Sequence, residues 1–143
     1  MAPSLRFSLE TRELAYAAGD PVTVTVRLLN DSDQPVVVNQ RLALNAAFAP
    51  LPFRDVAFLV RDSAGNQRDF QVRVRIGEPG DKDFGLLEPQ QSITRDYDLA
   101  EFFDLGQPGE YAVEARYQNQ ARPGDGEAWQ GELASNILRL AVR

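Results

Sequence analysis

The sequence predicts an all-β protein, an antiparallel β-sandwich of about seven to nine strands that forms a single domain over residues 1–143. Apolar and polar residues alternate with a period of two in one segment after another, which is the pattern of strands that bury one face. Clusters of Asn, Asp, Ser, Gly and Pro separate these segments, as turns between strands require. Neither an internal repeat nor a low-complexity linker divides the chain. With 143 residues, 43% of them hydrophobic, the chain can bury one continuous core.

Each predicted strand follows from its own alternating pattern. In residues 22–28 every second residue, from Val22 to Leu28, is apolar and would face the core, and the residues between them are Thr or Arg. Residues 62–66, Asp-Ser-Ala-Gly-Asn, are typical of a hairpin loop, and residues 99–105 are expected to add one or two helical turns. The predicted strands, in chain order, are residues 5–9 with a continuation at 14–16, then 22–28, 36–44, 56–61, 70–76, 92–99, 111–117 and 133–142.

Two absent residue types exclude several classes of chemistry. The chain has no Cys and no His. Without them there is no disulfide framework, no thiolate metal site, no cysteine nucleophile and no Ser–His or Cys–His catalytic pair. We therefore expect that the protein is not an enzyme.

Charge and hydropathy exclude further partners. The formal net charge of −6 disfavours nucleic-acid binding, which needs a positive surface. No run of about 18 apolar residues occurs, so we expect no membrane insertion. The first residues lack the basic and apolar segments of a secretory signal. The compartment stays open: cytoplasmic, or extracytoplasmic if a signal has been removed.

Turn and core residues resemble those of a known class of domain. Residues 106–113, Gly-Gln-Pro-Gly-Glu-Tyr-Ala-Val, resemble the entry to the penultimate strand of many immunoglobulin-like domains. There a tyrosine hydroxyl closes back on the backbone in a tyrosine corner, and Tyr111 is the matching residue. Together with residues 16–22, 28–36 and 129–136, this segment is similar to the bacterial immunoglobulin-like accessory domains found beside secreted metalloproteases of the aspzincin type.

The first half of the chain carries a second likeness. Its strand–Asn-Asp-Ser-Asp–strand pattern and residues 56–65 are similar to the family of the Bacillus intracellular proteinase inhibitor. The two resemblances imply an immunoglobulin-like sandwich with a non-catalytic binding, inhibitory or accessory role. They transfer no functional residue, because they consist of turn and core residues.

Four acidic pairs are candidates for a metal site or for acid–base catalysis: Asp31/Asp33, Asp81/Asp83, Asp96/Asp98 and Asp125/Glu127. Oxygen-rich loops can hold Ca²⁺, and the pairs in long loops, the second and the fourth, are the better candidates. None has the spacing of an EF-hand loop. Turn formation explains the first pair and a solvated strand face the third. We expect no cofactor, with Ca²⁺ at the acidic loops as the open alternative.

An apolar segment without strand or helix periodicity lies at residues 45–53, Asn-Ala-Ala-Phe-Ala-Pro-Leu-Pro-Phe. It would either close one end of the core or dock on another protein. We expect Phe53 to be buried, because it lies closest to the following strand, and Phe48 or Leu51 to be exposed at the tip. Trp129 is a further candidate, since Trp is frequent at binding hot spots, although its place before the last strand also suits a core plug.

Loop lengths indicate where a partner would bind. If each predicted strand reverses direction, the long loops at residues 10–21, 45–55, 77–91 and 119–132 share one end of the sandwich. Long irregular loops on a rigid scaffold often carry binding sites. The leading hypothesis is a protein-interaction or accessory module that binds a protein partner through this end. Its anchor would be Phe48, Leu51 and Phe53, with Trp129 and the acidic loops as rim.

Two alternatives come from other functional classes. The first is a structural subunit of a surface or filament assembly, in which strand addition at exposed sheet edges forms homo-oligomers. The second is a protease inhibitor, as the partial likeness of the first half of the chain implies.

Overall fold

Nine strands form the main regular structure of residues 4–51, 53–124 and 126–143, the part of the chain that the computed structural model describes. The strands are β1 (Leu5–Thr11), β2 (Ala15–Tyr16), β3 (Thr23–Asn30), β4 (Val36–Asn39), β5 (Val56–Arg61), β6 (Phe84–Leu87), β7 (Ser92–Asp98), β8 (Gly109–Asn119) and β9 (Gly131–Val142). Two short 3₁₀ helices lie at Asp81–Asp83 and Leu99–Glu101. The helical turns expected at residues 99–105 are therefore confined to the start of that segment.

The strands form two packed sheets and a short ribbon. One sheet has the order β1-β3-β7, the other the order β2-β9-β8-β5, and the ribbon pairs β4 with β6. All pairs are antiparallel except β2–β9, which is parallel. The sheets face each other, since Phe7 of β1 packs on Tyr117 of β8 with 5.7 Å between ring centroids. The predicted all-β sandwich of seven to nine strands is confirmed, and the parallel β2–β9 pair is a local departure from antiparallel pairing.

Alternation in the sequence becomes alternation in burial. Val24, Val26 and Leu28 of β3 are each 0% exposed, and the Thr and Arg residues between them are half-buried on the outer face. Residues 111–117 of β8 repeat this pattern. Burying one such aliphatic side chain stabilises the fold by about 1.5–3 kcal/mol relative to leaving it in water. The facing apolar surfaces of β3 and β8 thus form the centre of the core.

The tyrosine corner is present. Tyr111 is buried near the start of β8, and its hydroxyl donates a hydrogen bond to the Gln107 carbonyl with an O–O distance of 2.7 Å. Gly109 lies between them at a φ of +151°, a conformation that favours glycine. The bond ties the turn before β8 to the strand itself.

Replacing Tyr111 by phenylalanine is expected to lower the free energy of unfolding by about 1 kcal/mol, the usual net contribution of one such hydrogen bond. The ring would keep its packing, so partner binding should not change. Chemical denaturation of the wild type and of Tyr111→Phe measures the difference. An unchanged midpoint and slope would show that the corner bond does not stabilise the protein.

The hairpin after β5 forms as predicted, but residues 70–76 do not become its second strand. The Asp62 amide donates to the Asn66 carbonyl at 2.9 Å, and the Arg68 amide donates to the Val60 carbonyl at 2.7 Å. Beyond Arg68 the ladder stops, and residues 71–76 belong to no sheet.

Two competing contacts explain the missing strand. Phe70 packs on Phe102 and Phe103, at 5.5 and 5.6 Å between ring centroids, which draws the chain away from β5. At its other end, β5 already pairs with an earlier segment, since the Val56 amide donates to the Ala43 carbonyl at 3.0 Å. Aromatic packing and prior occupation of the edge thus outweigh the strand pattern of residues 70–76.

The strand predicted at residues 36–44 is also too long. β4 ends at Asn39, and Leu42 has a φ of +51°, a left-handed conformation that interrupts a strand. Arg95 and Tyr97 of β7 donate hydrogen bonds to the Leu42 carbonyl and hold this bend. The partner of β4 is β6, which lies inside the segment predicted as a loop at 77–91. The sequence did not predict this strand, because Phe-Gly-Leu-Leu does not alternate between apolar and polar residues.

Three of the four long loops share one end of the sandwich. Residues 45–55 lead into β5 beside the end of β8, where Asn119 pairs with Gly131. The Gly124 amide donates to Oδ1 of Asp81 at 2.9 Å, which brings residues 77–91 to the same end. We call it the long-loop end.

The placement of residues 10–21 at that end is wrong. The Ala18 amide donates to the Arg143 carbonyl at 2.9 Å, so this loop lies where β9 finishes. The error comes from residues 36–44. The chain leaves β3 and enters β5 at the same end, so this segment does not cross the sandwich as a full strand would.

Candidate partner-binding groove

An open groove of about 880 Å³ lies between two stretches of chain. We call residues 45–53 the apolar loop and residues 70–77 the extended segment. Phe48 and Phe53 line the groove on the loop side, and both the apolar residues and the two arginines of the extended segment line it on the other. A volume of this size suits a ligand or part of a polypeptide.

The apolar loop is held by its own backbone and by one buried asparagine. Nδ2 of Asn45 donates to the Phe53 carbonyl at 2.9 Å and so joins the two ends of the loop. The Phe53 amide donates to the Pro50 carbonyl at 2.8 Å, and the Ala49 amide to the Ala46 carbonyl at 3.0 Å. These bonds fix the turn without using the side chains of Phe48 or Leu51.

A buried carboxylate fastens the base of the loop to the core. Asp55 is 1% exposed and accepts four hydrogen bonds. Arg41 donates two of them, from Nε at 2.7 Å and Nη2 at 3.1 Å, and Asn39 and the Ala43 amide donate the others at 2.8 and 2.9 Å. The paired guanidinium and the two further donors offset the cost of burying the charge.

Hydrogen bonds anchor both ends of the extended segment, whereas the backbone of residues 72–76 bonds to nothing in the described ranges. The Gln71 amide donates to the Phe102 carbonyl at 2.8 Å, and Nη1 of Arg41 donates to the Gly77 carbonyl at 2.8 Å. Arg41 therefore links the segment to the Asp55 carboxylate and to the base of the apolar loop. This shared residue sets the spacing between the two walls of the groove.

The groove carries positive charge in a protein whose net charge is −6. Arg73 and Arg75 are exposed on the extended segment, and Arg54 follows the apolar loop, where its Nε donates to the Ala49 carbonyl at 3.2 Å. Within residues 4–51, 53–124 and 126–143, none of these three arginines forms an ion pair. Their charges are available to a bound partner.

Of the residues that the sequence singled out, three share this loop. Phe48 is 85% exposed, Leu51 43% and Phe53 38%. The expectation that Phe53 is buried is therefore wrong, while exposure of Phe48 and Leu51 is confirmed. Leu44, Asn45 and Ala46 are buried and already close the core below the loop, which leaves Phe53 at the groove wall.

Trp129 does not lie in the groove. Its ring stacks on Tyr117 with 5.8 Å between centroids and packs against the core, where it is half-buried. Its amide donates to the Val37 carbonyl at 2.8 Å, and its carbonyl accepts from Nδ2 of Asn119 at 2.7 Å. These contacts agree with the interpretation of Trp129 as a plug at the long-loop end.

The acidic pairs make structural contacts. Oδ1 of Asp81 accepts from the Gly124 amide at 2.9 Å, and Oδ2 of Asp83 accepts from the Gly80 amide at 2.8 Å. Asp125 lies outside the described residues, and Glu127 is exposed. Among the described residues, no group of three or more acidic side chains has the geometry of a metal site.

The other two pairs lie at strand ends and on strand surfaces. In the turn after β3 the amide of Ser32 donates to Oδ1 of Asn30 at 3.0 Å, so the asparagine, and not the expected Asp31/Asp33 pair, shapes the turn. Asp96 accepts from Thr25 at 2.6 Å on the outer face of β7. Asp98 accepts from the Val22 amide at 2.8 Å.

Sequence reasoning missed three residues that define the groove. Asp55 and Arg41 are single charged residues at strand ends with no motif around them, and their partnership appears only in three dimensions. Arg73 shows in the alternating Val-Arg-Val-Arg-Ile run, but there it predicts a solvated strand face rather than a groove wall.

Comparison with known proteins adds little. Among the described residues no helix is long and apolar enough to cross a membrane. No protein-family model matches the sequence, and no curated protein matches it. Among solved structures the chain is similar to a β-glucosidase from Erythrobacter marinus, with 16% identity and a TM-score of 0.43. The similarity covers 99% of this chain and 16% of the glucosidase, and a likeness this weak carries no argument about function.

Proposed function

We propose that this protein is a non-catalytic protein-interaction module that binds a partner through the groove between the apolar loop and the extended segment. One observation carries the proposal: Phe48 is 85% exposed at the tip of a loop that other contacts hold in place. Exposed apolar clusters with a polar surround are typical of protein interfaces. The resemblance to immunoglobulin-like accessory domains supports the same functional class.

The fold does not depend on the side chain of Phe48. Phe48 makes no contribution to the buried core, and the loop's hydrogen bonds come from Asn45 and the backbone. A phenylalanine left in water keeps its apolar surface available, and covering it with a partner would release about 25 cal/mol for each Å² buried. The neighbouring Leu51 and Phe53 extend this surface.

Replacing Phe48 by alanine is expected to leave the free energy of unfolding within about 0.5 kcal/mol of the wild type, because the side chain is exposed. The same change should weaken partner binding by about 1–4 kcal/mol, the range for an interface anchor. Leu14→Ala is the matched control, since Leu14 is 74% exposed at the opposite end. Loss of stability in Phe48→Ala without loss of affinity would contradict the proposal.

Site-specific photo-crosslinking identifies the partner. Benzoylphenylalanine at position 48 or at position 14 of the full chain is irradiated in an extract of the source organism, and adducts are identified by mass spectrometry. We expect a protein adduct that forms from position 48 and not from position 14. The captured protein is then purified for the affinity measurements above. Equal adducts from both positions, or none from position 48, would count against a binding site in the groove.

A further inference from the structure

The middle of the extended segment has the sequence pattern of a strand but pairs with no other strand in the described part of the chain. The sequence of residues 72–76, Val-Arg-Val-Arg-Ile, alternates like that of a strand. Burial follows this alternation from Arg73 to Ile76, with Val74 and Ile76 half-buried and Arg73 and Arg75 exposed, whereas Val72 lies at a bend and is 39% exposed. In the described part of the chain, no hydrogen bond involves the backbone N–H or C=O groups of these five residues. An unpaired extended backbone is a template for the addition of another strand.

The charge around this backbone selects the partner. Arg73 and Arg75 occupy the centre of the segment, and the acidic Asp69 and Glu78 lie beyond its two ends. A strand laid along residues 72–76 would place its outward side chains opposite the arginines, where acidic residues are favoured. Its inward side chains would face the groove that Phe48 lines, where apolar residues are favoured.

A second copy of this chain does not fit the same edge. Antiparallel self-pairing centred on Val74 sets Arg73 directly opposite Arg75, and like charges opposite each other are destabilising. If the register of the two copies shifts by one residue, the apolar face of one strand meets the charged face of the other, and valine lies opposite arginine. A net charge of −6 on each copy adds repulsion.

We infer that the groove binds an extended segment of a partner protein in which acidic and apolar residues alternate, and that this segment adds as a strand to residues 72–76. The inference rests on the proposed function and adds to it the mode of binding and the chemistry of the partner. Backbone pairing supplies the affinity, and the two arginines and Phe48 supply the selectivity.

Selection of peptides from a random dodecapeptide library displayed on phage tests this inference on the full chain. Enriched peptides are expected to alternate acidic and apolar residues over at least four positions. A synthetic copy of one such peptide should bind the Arg73→Glu/Arg75→Glu variant at least tenfold more weakly than the wild type. The double charge reversal Arg6→Glu/Arg139→Glu, at exposed positions outside the groove, is the control and should keep the affinity.

N-methylation of single peptide bonds in the synthetic peptide reports strand addition directly. Methylation at every second peptide bond should lower the affinity at least tenfold, and methylation at the bonds between them should leave it nearly unchanged. Only alternate amides of a strand point towards the neighbouring strand. A peptide that loses binding to Phe48→Ala but shows no period of two would overturn strand addition and leave the proposed function intact. Three other results would also overturn the inference. They are enriched peptides that lack acidic residues, a selection that enriches no peptide, and light scattering that shows the protein to dimerise through this edge. Crosslinking from position 48 tests the proposed function independently of this inference.

Discussion

Replacing Asp55 by alanine is expected to lower the free energy of unfolding by about 3–5 kcal/mol, the usual cost of breaking a buried ion pair on one side. The change leaves the Arg41 guanidinium without its carboxylate and removes the acceptor of the Asn39 and Ala43 hydrogen bonds. Denaturant-induced unfolding measures the effect. Since Arg41 also holds the Gly77 carbonyl, the extended segment should become mobile as well.

The matched control is Asp31→Ala. Asp31 pairs with Arg6 at 2.8 Å on the surface, where the two side chains are 34% and 70% exposed. Such a pair contributes at most about 1 kcal/mol. Similar losses in Asp55→Ala and Asp31→Ala would show that the buried network does not stabilise the base of the apolar loop.

Alkaline pH is expected to destabilise the protein steeply from about pH 10, the ordinary tyrosine pKa. Burial raises the pKa of Tyr97, Tyr111 and Tyr117 above that value, because the interior disfavours the phenolate. Arg95 lowers the pKa of Tyr97, but this effect is smaller than that of desolvation. These hydroxyls stay protonated in the folded state at a pH at which they ionise in the unfolded chain.

The sign and size follow from proton linkage. Above pH 10 the unfolded chain has released protons that the folded protein retains, so the free energy of unfolding falls as pH rises towards the folded-state pKa values. Tyr97 and Tyr117, the two with large shifts, each contribute up to about 1.4 kcal/mol per pH unit. Urea unfolding between pH 8 and pH 11.5 measures the slope, and Tyr117→Phe should reduce it by about one tyrosine's share. A stability that does not change across this range would contradict the burial of these side chains.

The fold was predictable from the sequence because its evidence is local. The alternation in residues 22–28 and 111–117 specifies which side of each strand is buried, and these two strands form the centre of the core. The tyrosine corner was predictable for the same reason, since Tyr111 and Gln107 are four residues apart. Residues 70–76 show the limit: their pattern specifies a strand, but the aromatic contacts of Phe70 remove its neighbour.

One wall of the candidate groove could be predicted from the sequence and the other could not. Phe48, Leu51 and Phe53 could be grouped from the sequence because they are adjacent in the chain. The opposite wall of the groove could not, because Arg41 connects residues that are 14 and 36 positions away along the chain. Hydrogen bonds and ion pairs between single charged residues far apart in the chain leave no periodic pattern in the sequence. The groove between the apolar loop and the extended segment can therefore be recognised only in the folded structure.

Amide hydrogen exchange of the full chain, alone and with the protein captured from position 48, tests the central claim most directly. The amides of residues 72–76 should exchange rapidly in the isolated protein, because the described part of the chain provides no hydrogen-bond acceptor for them. On binding we expect slower exchange in residues 45–53 and 70–77 and no change in residues 10–21 at the opposite end. Protection confined to residues 10–21 or to the outer faces of the sheets, with the groove unchanged, would contradict the account.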